Sequence, residues 1–275
     1  RQMCIRDREY IKNLATKYNT IYRPRSFTTT GGEAITIEGN EYGYRVDQEG
    51  ELTQLLADID GGAAVTREPV YSKSGYSRNG TDDLNGNYIE VSLEQQHLWL
   101  YKNGALVTET DIVSGLPGEG RETYRGAWPI AYKASPFTLS SDVYGYDTTV
   151  TYWMPFNGGI GLHDANWRKT FGGTIYKNGG SHGCVNLPPA VAKTIYENIS
   201  AGDPVLCYHL DGTESSKTGG TKKDGTAETT AATTAVPTTA APETTAAPAT
   251  TAAPETTAAG PSVPETTAAP ETTPA

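Results

Sequence analysis

Apolar and polar positions fall into three regimes along the chain. Between Asp47 and Gly62 the residues Leu52, Leu55, Leu56 and Ile59 recur at i, i+3, i+4 and i+7, the spacing of one helical face. Asp47 stands before this run as an N-cap and Gly61-Gly62 after it as a stop, which predicts a helix between them. A shorter helix is predicted over Tyr10 to Tyr18. From Asn87 the period changes to two. Tyr88 to Leu93 alternates, His97 to Tyr101 is a short apolar strand, and Ala105 to Val113 follows it across Asn103-Gly104. That dipeptide is a hairpin turn, because both central residues of a type I′ turn take positive φ. Further strands are predicted at Gly126 to Tyr132 and around Val150 to Trp153. Val191, Ile195 and Ile199 mark a helix from about Pro188 to Ile199, ended by Gly202-Asp203-Pro204, and Pro204 to His209 reads as a last buried strand. The fold expected for 85–210 is mainly β, a sandwich or partly open barrel with one sure helix.

The third regime begins near Leu210. From there Ala, Thr, Pro and Glu take over, and Pro-Glu-Thr-Thr recurs at Pro242, Pro254, Pro264 and Pro270. Such a segment has nothing to offset the chain entropy lost on folding, so 211–275 is expected to be a disordered tail acting as a spacer. It carries eight acidic and three basic residues, half of the chain's net charge of −10. That negative balance excludes a nucleic-acid partner, which needs a basic face, and argues against an anionic lipid surface. No apolar run is long enough to span a membrane. The first residue is Arg1, so 1–84 is read as an N-terminal α/β segment truncated upstream.

Three cysteines, Cys4, Cys184 and Cys207, cannot close a disulfide framework, so at least one thiol is free. Cys207 lies in an apolar strand and reads as core. Cys184 ends Gly179-Gly180-Ser181-His182-Gly183-Cys184, a glycine-rich turn that presents a thiol ahead of the Pro188 helix. Successive N–H groups of such a turn suit a tetrahedral oxyanion, and a thiol near a helix start and an imidazole is expected to have a lowered pKa. The histidine is His163, approached through Gly158, Gly159 and Gly161. Trp153, Met154, Phe156 and Trp167 either wall a cleft beside it or fill core. His163, His182 and Cys184 bring no second closely spaced ligand pair, so neither a metal nor a cofactor is expected.

His163, seventeen residues, then Ser181-His182-Gly183-Cys184-Val185-Asn186 resembles the active-site signature of the YkuD-type L,D-transpeptidases, in the form of the Gram-positive members. Thr123-x-x-Gly126-x-Trp128 is similar to a strand of the same family, with Tyr124 where proline is usual, and Tyr42 to Asp83 resembles the end of a peptidoglycan-binding-like domain. The resemblance implies Cys184 as nucleophile and His163 as base. Ser181, His182 and Gly183 then shape the turn and its oxyanion hole, with Asn186, Trp153 and Asp164 as further substrate-side candidates. It also implies that the carbonyl of Asp164 orients His163. The implied reaction is a 3→3 cross-link between peptidoglycan stem peptides, a donor tetrapeptide and an acceptor, by a monomer acting outside the membrane. Two other outcomes stay open on these residues: an L,D-carboxypeptidase using the same site, and a wall-binding protein without catalysis.

Overall fold

The computed structural model describes residues 2–78, 82–118 and 120–210; the segment read as a disordered tail lies outside the described residues. The N-terminal part contains α1 (Gln2–Tyr18), β1 (Arg25–Thr28), β2 (Ala34–Ile37), β3 (Arg45–Val46), α2 (Gln48–Gly61) and β4 (Tyr71–Lys73). Both end signals of α2 operate as expected. Asp47 accepts the N–H of Gly50 at 3.2 Å, and Gly62 closes the helix in the left-handed region at φ 67°. The leucine stripe behaves differently from its helical pattern. Leu56 and Ile59 stay exposed, and the buried residue of α2 is Glu51. Its carboxylate is held by Arg67, at 2.9 and 3.1 Å, and by the N–H of Val70 at 2.7 Å. A buried charge with three donors is satisfied, so it displaces the apolar face from the interior.

The remaining described chain is a two-sheet β structure. Strands β5 (Tyr88–Ser92), β6 (His97–Lys102) and β7 (Ala105–Asp111) run as a meander, and Asn103 and Gly104 turn at φ 52° and 77°. Strand β8 (Gly126–Pro129) follows, then a hairpin of β9 (Phe137–Ser141) and β10 (Tyr146–Val150). Next come β11 (Trp153–Asn157), β12 (Ile160–Asp164), the single turn α3 (Tyr176–Gly179), β13 (Val185–Leu187), α4 (Pro189–Asn198) and β14 (Pro204–Tyr208). One sheet has the order β7-β6-β5-β14-β8 and the other β11-β12-β13. Ile89, Val91, Leu98 and Leu100 of the first meet Met154, Phe156, Leu162, Val185 and Leu187 of the second, with Ala192 and Ile195 of α4 joining them. This is the mainly β sandwich expected from the period-two pattern.

Strand β14 lies in mid-sheet, parallel to β5 and antiparallel to β8, and all five of its residues are buried. Val205 and Cys207 belong to the inter-sheet core. Leu206 and Tyr208 face the other way, into a second cluster with Phe27, Ile37, Tyr42 and Leu84. A strand buried on both faces loses its alternation, which explains the continuous apolar run of Pro204 to Tyr208. The N-terminal part thus covers the outer face of the larger sheet. Glu90, fully buried there, accepts the N–H of Thr30 at 2.9 Å, its hydroxyl at 2.6 Å and the hydroxyl of Tyr208 at 2.7 Å.

A buried ion pair anchors the same junction. Arg25 and Asp83 are both largely buried; the guanidinium bonds Asp83 directly, and Thr20 donates to the same carboxylate at 2.7 Å. Removing one member strands the other charge out of water. Asp83→Ala is therefore expected to lower the unfolding free energy by about 3–5 kcal/mol, read from urea denaturation followed by tryptophan fluorescence; a loss below about 1 kcal/mol would show that Arg25 finds water or another partner.

Candidate active site

Strands β12 and β13 pair in parallel, with Leu162 opposite Val185 and His163 opposite Asn186. Side chains repeat every second residue along a strand, so Cys184, just before β13, lies on the same side as Asn186 and beside His163. All three line one cleft of about 270 Å³, with Trp167, Arg168 and Tyr146 among its other walls. A thiol at the approach to a helix is what the glycine-rich turn and Pro188 predict. The chain instead enters β13 directly after Cys184, and α4 starts only at Pro189.

The imidazole is buried and its orientation is fixed. Nδ1 bonds the backbone oxygen of Asp164 at 2.9 Å, so Nδ1 carries the proton and the lone pair sits on Nε2. Burial holds the His163 pKa below its ordinary value, partly opposed by the Asp164 carbonyl, which keeps the ring neutral. Asn186 is also buried. Its amide orientation follows from its neighbours: Nδ2 donates to His163 Nε2 at 3.1 Å, and the oxygen accepts from Arg168 Nε at 2.7 Å. Arg168 further donates to the carbonyl of Gly179 at 2.8 Å, and desolvation lowers its pKa from the usual value. Neither the Asn186–His163 contact nor Arg168 was evident in the sequence; the motif marks Asn186 but not what it touches.

Cys184 is partly exposed and its Sγ is directed at the carbonyl of Gly159, at 3.7 Å. Among the described residues no hydrogen bond joins it to His163. Burial pushes its pKa up to about 11, with only the backbone of Gly161 pulling the other way. This reverses the lowered pKa expected from a nearby helix start, because no helix start is nearby. Gly161 has a steric role as well: a Cβ there would lie 2.7 Å from the ring of Trp153.

The turn before the cysteine is held by side-chain hydroxyls. Ser181 Oγ donates to the carbonyl of Cys184 and accepts the N–H of Gly183 at 3.1 Å. Thr123 Oγ1 donates to the carbonyl of Gly183 at 2.6 Å and accepts the N–H of Gly115 at 2.9 Å. Gly183 sits at φ 121°, where a side chain would be strained. His182 is exposed and stacks on Tyr144 and Tyr146, at 4.2 and 5.2 Å between ring centres. Those tyrosines belong to the β9–β10 hairpin and its turn, which the sequence reading missed although Tyr146, Thr148 and Val150 alternate. Partial burial and Arg121 hold the His182 pKa below its ordinary value.

Two expected substrate-side residues point elsewhere. Trp153 is buried under the hairpin, stacked on Phe137 at 5.5 Å and donating to Tyr132 at 3.2 Å. The Asp164 carboxylate is buried and accepts the N–H groups of Thr151 and Tyr152, at 2.8 and 2.7 Å. Both are occupied by structure. Of the other residues left open between cleft and core, Trp167 is half exposed on the cleft, while Met154 and Phe156 are core. Among the described residues no three His, Cys, Asp or Glu side chains converge as a metal-ligand set.

Residues 86–207 match the family described as the L,D-transpeptidase catalytic domain, YkuD, and residues 7–67 match a putative peptidoglycan binding domain. The second match begins well before Tyr42, where the sequence resemblance starts. A mutant of the Enterococcus faecium L,D-transpeptidase is 34% identical at a TM-score of 0.63, over 74% of this chain and 81% of that one. The Ldtfm–avibactam carbamoyl enzyme is 35% identical at a TM-score of 0.63, over 74% and 79%. No curated protein matches the chain.

A thiol with a pKa near 11 is almost wholly protonated at neutral pH. Iodoacetamide alkylation of Cys184, followed by mass spectrometry of its peptide, should be slow at pH 7. Its rate should rise about tenfold per pH unit up to roughly pH 10. A plateau near pH 7 would mean that the resting thiol is already ionised.

Proposed function

The chain belongs to the YkuD family of L,D-transpeptidases, and from that premise we propose that it forms 3→3 peptidoglycan cross-links through a thioester on Cys184. The observation that carries this reading is the tautomer of His163. With Nδ1–H bound to Asp164, Nε2 is the basic nitrogen; at rest it accepts from Asn186, and the ring lines the same cleft as Cys184. Both partners rest neutral: the imidazole because burial lowers its pKa, the thiol because burial raises its own. Ion-pair formation before substrate arrives is unfavourable, so proton transfer accompanies attack.

On binding of a donor tetrapeptide, the thiol turns from the Gly159 carbonyl toward Nε2, takes the place of the Asn186 amide there and gives up its proton. The sulfur attacks the carbonyl carbon of the third stem residue. Gly183 N–H is engaged by Ser181, so the N–H of Cys184 itself is the donor from this turn to the developing oxyanion; one such donor contributes about 3 kcal/mol. His163 then protonates the departing amine of D-Ala, and the C–N bond breaks. The side-chain amine of an acceptor stem attacks the thioester and passes its proton to Nε2. Sulfur leaves and takes that proton back. Asn186 holds the imidazole through Nε2 only while the ring is neutral, and Thr123 and Ser181 hold the turn. The match of residues 7–67 to a peptidoglycan-binding domain supports the same substrate and a place of action at the wall, outside the membrane. Among the described residues no helix is long and apolar enough to cross a membrane.

Incubation with a carbapenem should give one covalent adduct on Cys184 by intact-protein mass spectrometry, and none on Cys184→Ala. His163→Ala should slow its formation on the order of 10²- to 10⁴-fold. Because the folded-state pKa of His163 lies below its ordinary value of 6.5, the base stays free at pH 6.5 and the rate should fall only below it. With tetrapeptide muropeptides, 3→3 dimers are expected. Trimmed tripeptide without dimer would identify an L,D-carboxypeptidase instead, and an equal adduct on Cys184→Ala would remove the nucleophile.

A further inference from the structure

A cluster of basic side chains in this acidic chain lines a cavity that shares no residue with the catalytic cleft. This cavity of about 460 Å³ opens between the end of α1 and the start of β1, and Lys17, Arg23, Arg25 and Arg78 line it. No Asp or Glu is among its lining residues, in a chain of net charge −10. We propose that this cavity is a binding subsite for the carboxylates of peptidoglycan stem peptides, separate from the site that performs the chemistry. The proposal rests on the peptidoglycan reading above.

Three observations support an anionic occupant. Lys17 and Arg23 are exposed at the cavity and make no ion pair among the described residues. Arg25 is 7% exposed, and its head group is engaged by Asp83 and by the carbonyl of Tyr42, but its Nε is buried without a hydrogen-bond partner. A buried donor left unpaired is disfavoured, and a carboxylate accepts from a guanidinium edge directly. Arg78 is held in place by the rings of Tyr44 and Tyr71, 4.4 and 5.1 Å from its guanidinium, by the Tyr18 carbonyl at 3.2 Å and by the Glu68 carboxylate at 3.8 Å. It is therefore pre-oriented, which reduces the ordering required on binding.

The polar lining indicates a peptide. The Asn19 amide nitrogen and the Ser26 hydroxyl share the wall with the cations and suit amides as well as carboxylates, while the Thr20 hydroxyl is engaged by Asp83. A compact cavity of this size accommodates one short peptide end. A phosphodiester polymer would call for a basic track along the surface.

The test uses the full chain carrying Cys184→Ala, so that nothing is turned over, and insoluble sacculi stripped of phosphate polymers. Co-sedimentation of Lys17→Glu/Arg23→Glu should be at least tenfold weaker than that of the parent. The charge-matched Lys73→Glu/Lys193→Glu should bind within about twofold of it. Amidating the sacculus carboxylates should weaken the parent to the level of the Lys17/Arg23 variant and leave that variant unchanged. Equal binding by the parent and the Lys17/Arg23 variant overturns the proposal, as does undiminished binding to amidated sacculi. Binding that returns only with the phosphate polymers overturns it in favour of a phosphate ligand. If thermal melting shows the Glu pair unfolded, Lys17→Gln/Arg23→Gln carries the same comparison. The carbapenem adduct on the protein with its native Cys184 reports on the catalytic reading independently of all these outcomes.

Discussion

The parallel pairing of β12 with β13 is the constraint on which the catalytic arrangement depends. Parallel neighbours cannot be joined by a tight turn, so the chain leaves β12 after Asp164 and crosses over through α3 before returning. The crossover carries Trp167 and Arg168 past the cleft and delivers the glycine-rich turn to its rim. A register one residue different would turn Asn186 away from His163 and point Cys184 into the core. The hydrogen bond from Nδ1 to Asp164 then converts that register into a chemical state, a neutral ring with its lone pair on Nε2.

A second constraint acts on the larger sheet. Its strand β14 is buried on both faces, so the β sandwich presents one apolar face outward and the N-terminal part covers it. The polar contacts at this junction, Glu90 with Thr30 and Tyr208 and Arg25 with Asp83, are directional where the apolar cluster is not. They specify how the cover sits. The cationic cavity lies beside the same junction, since Arg25 serves both the buried pair and the cavity wall.

Local chemistry was legible in the sequence wherever it was self-contained. Asp47 and Gly62 announced the ends of α2, Asn103-Gly104 announced its turn, and the Val191–Ile195 spacing announced α4. The candidate pair Cys184 and His163 was legible because glycines, thiol and imidazole stand in one motif. What was illegible depends on partners distant in the chain. Glu51 displaces a leucine stripe because Arg67 and Val70 meet it. The β9–β10 hairpin carries little apolar contrast, since it packs on the site rather than on a core. Arg168 has no motif to announce it. The direction of the thiol's pKa depended on whether a helix or a strand follows Cys184, and β13 is too short and apolar to separate from the helix after it by pattern alone.

The desolvation that keeps the Cys184 sulfur in its thiol form has a consequence beyond rate. Peroxides and disulfides react with thiolates, and an unionised sulfur is a poor target for either. On the proposed reading of Cys184 as a nucleophile acting outside the membrane, the same burial that makes it wait for substrate also protects it from oxidation. Latency of this kind lets one cysteine stay usable between rare encounters with a donor chain.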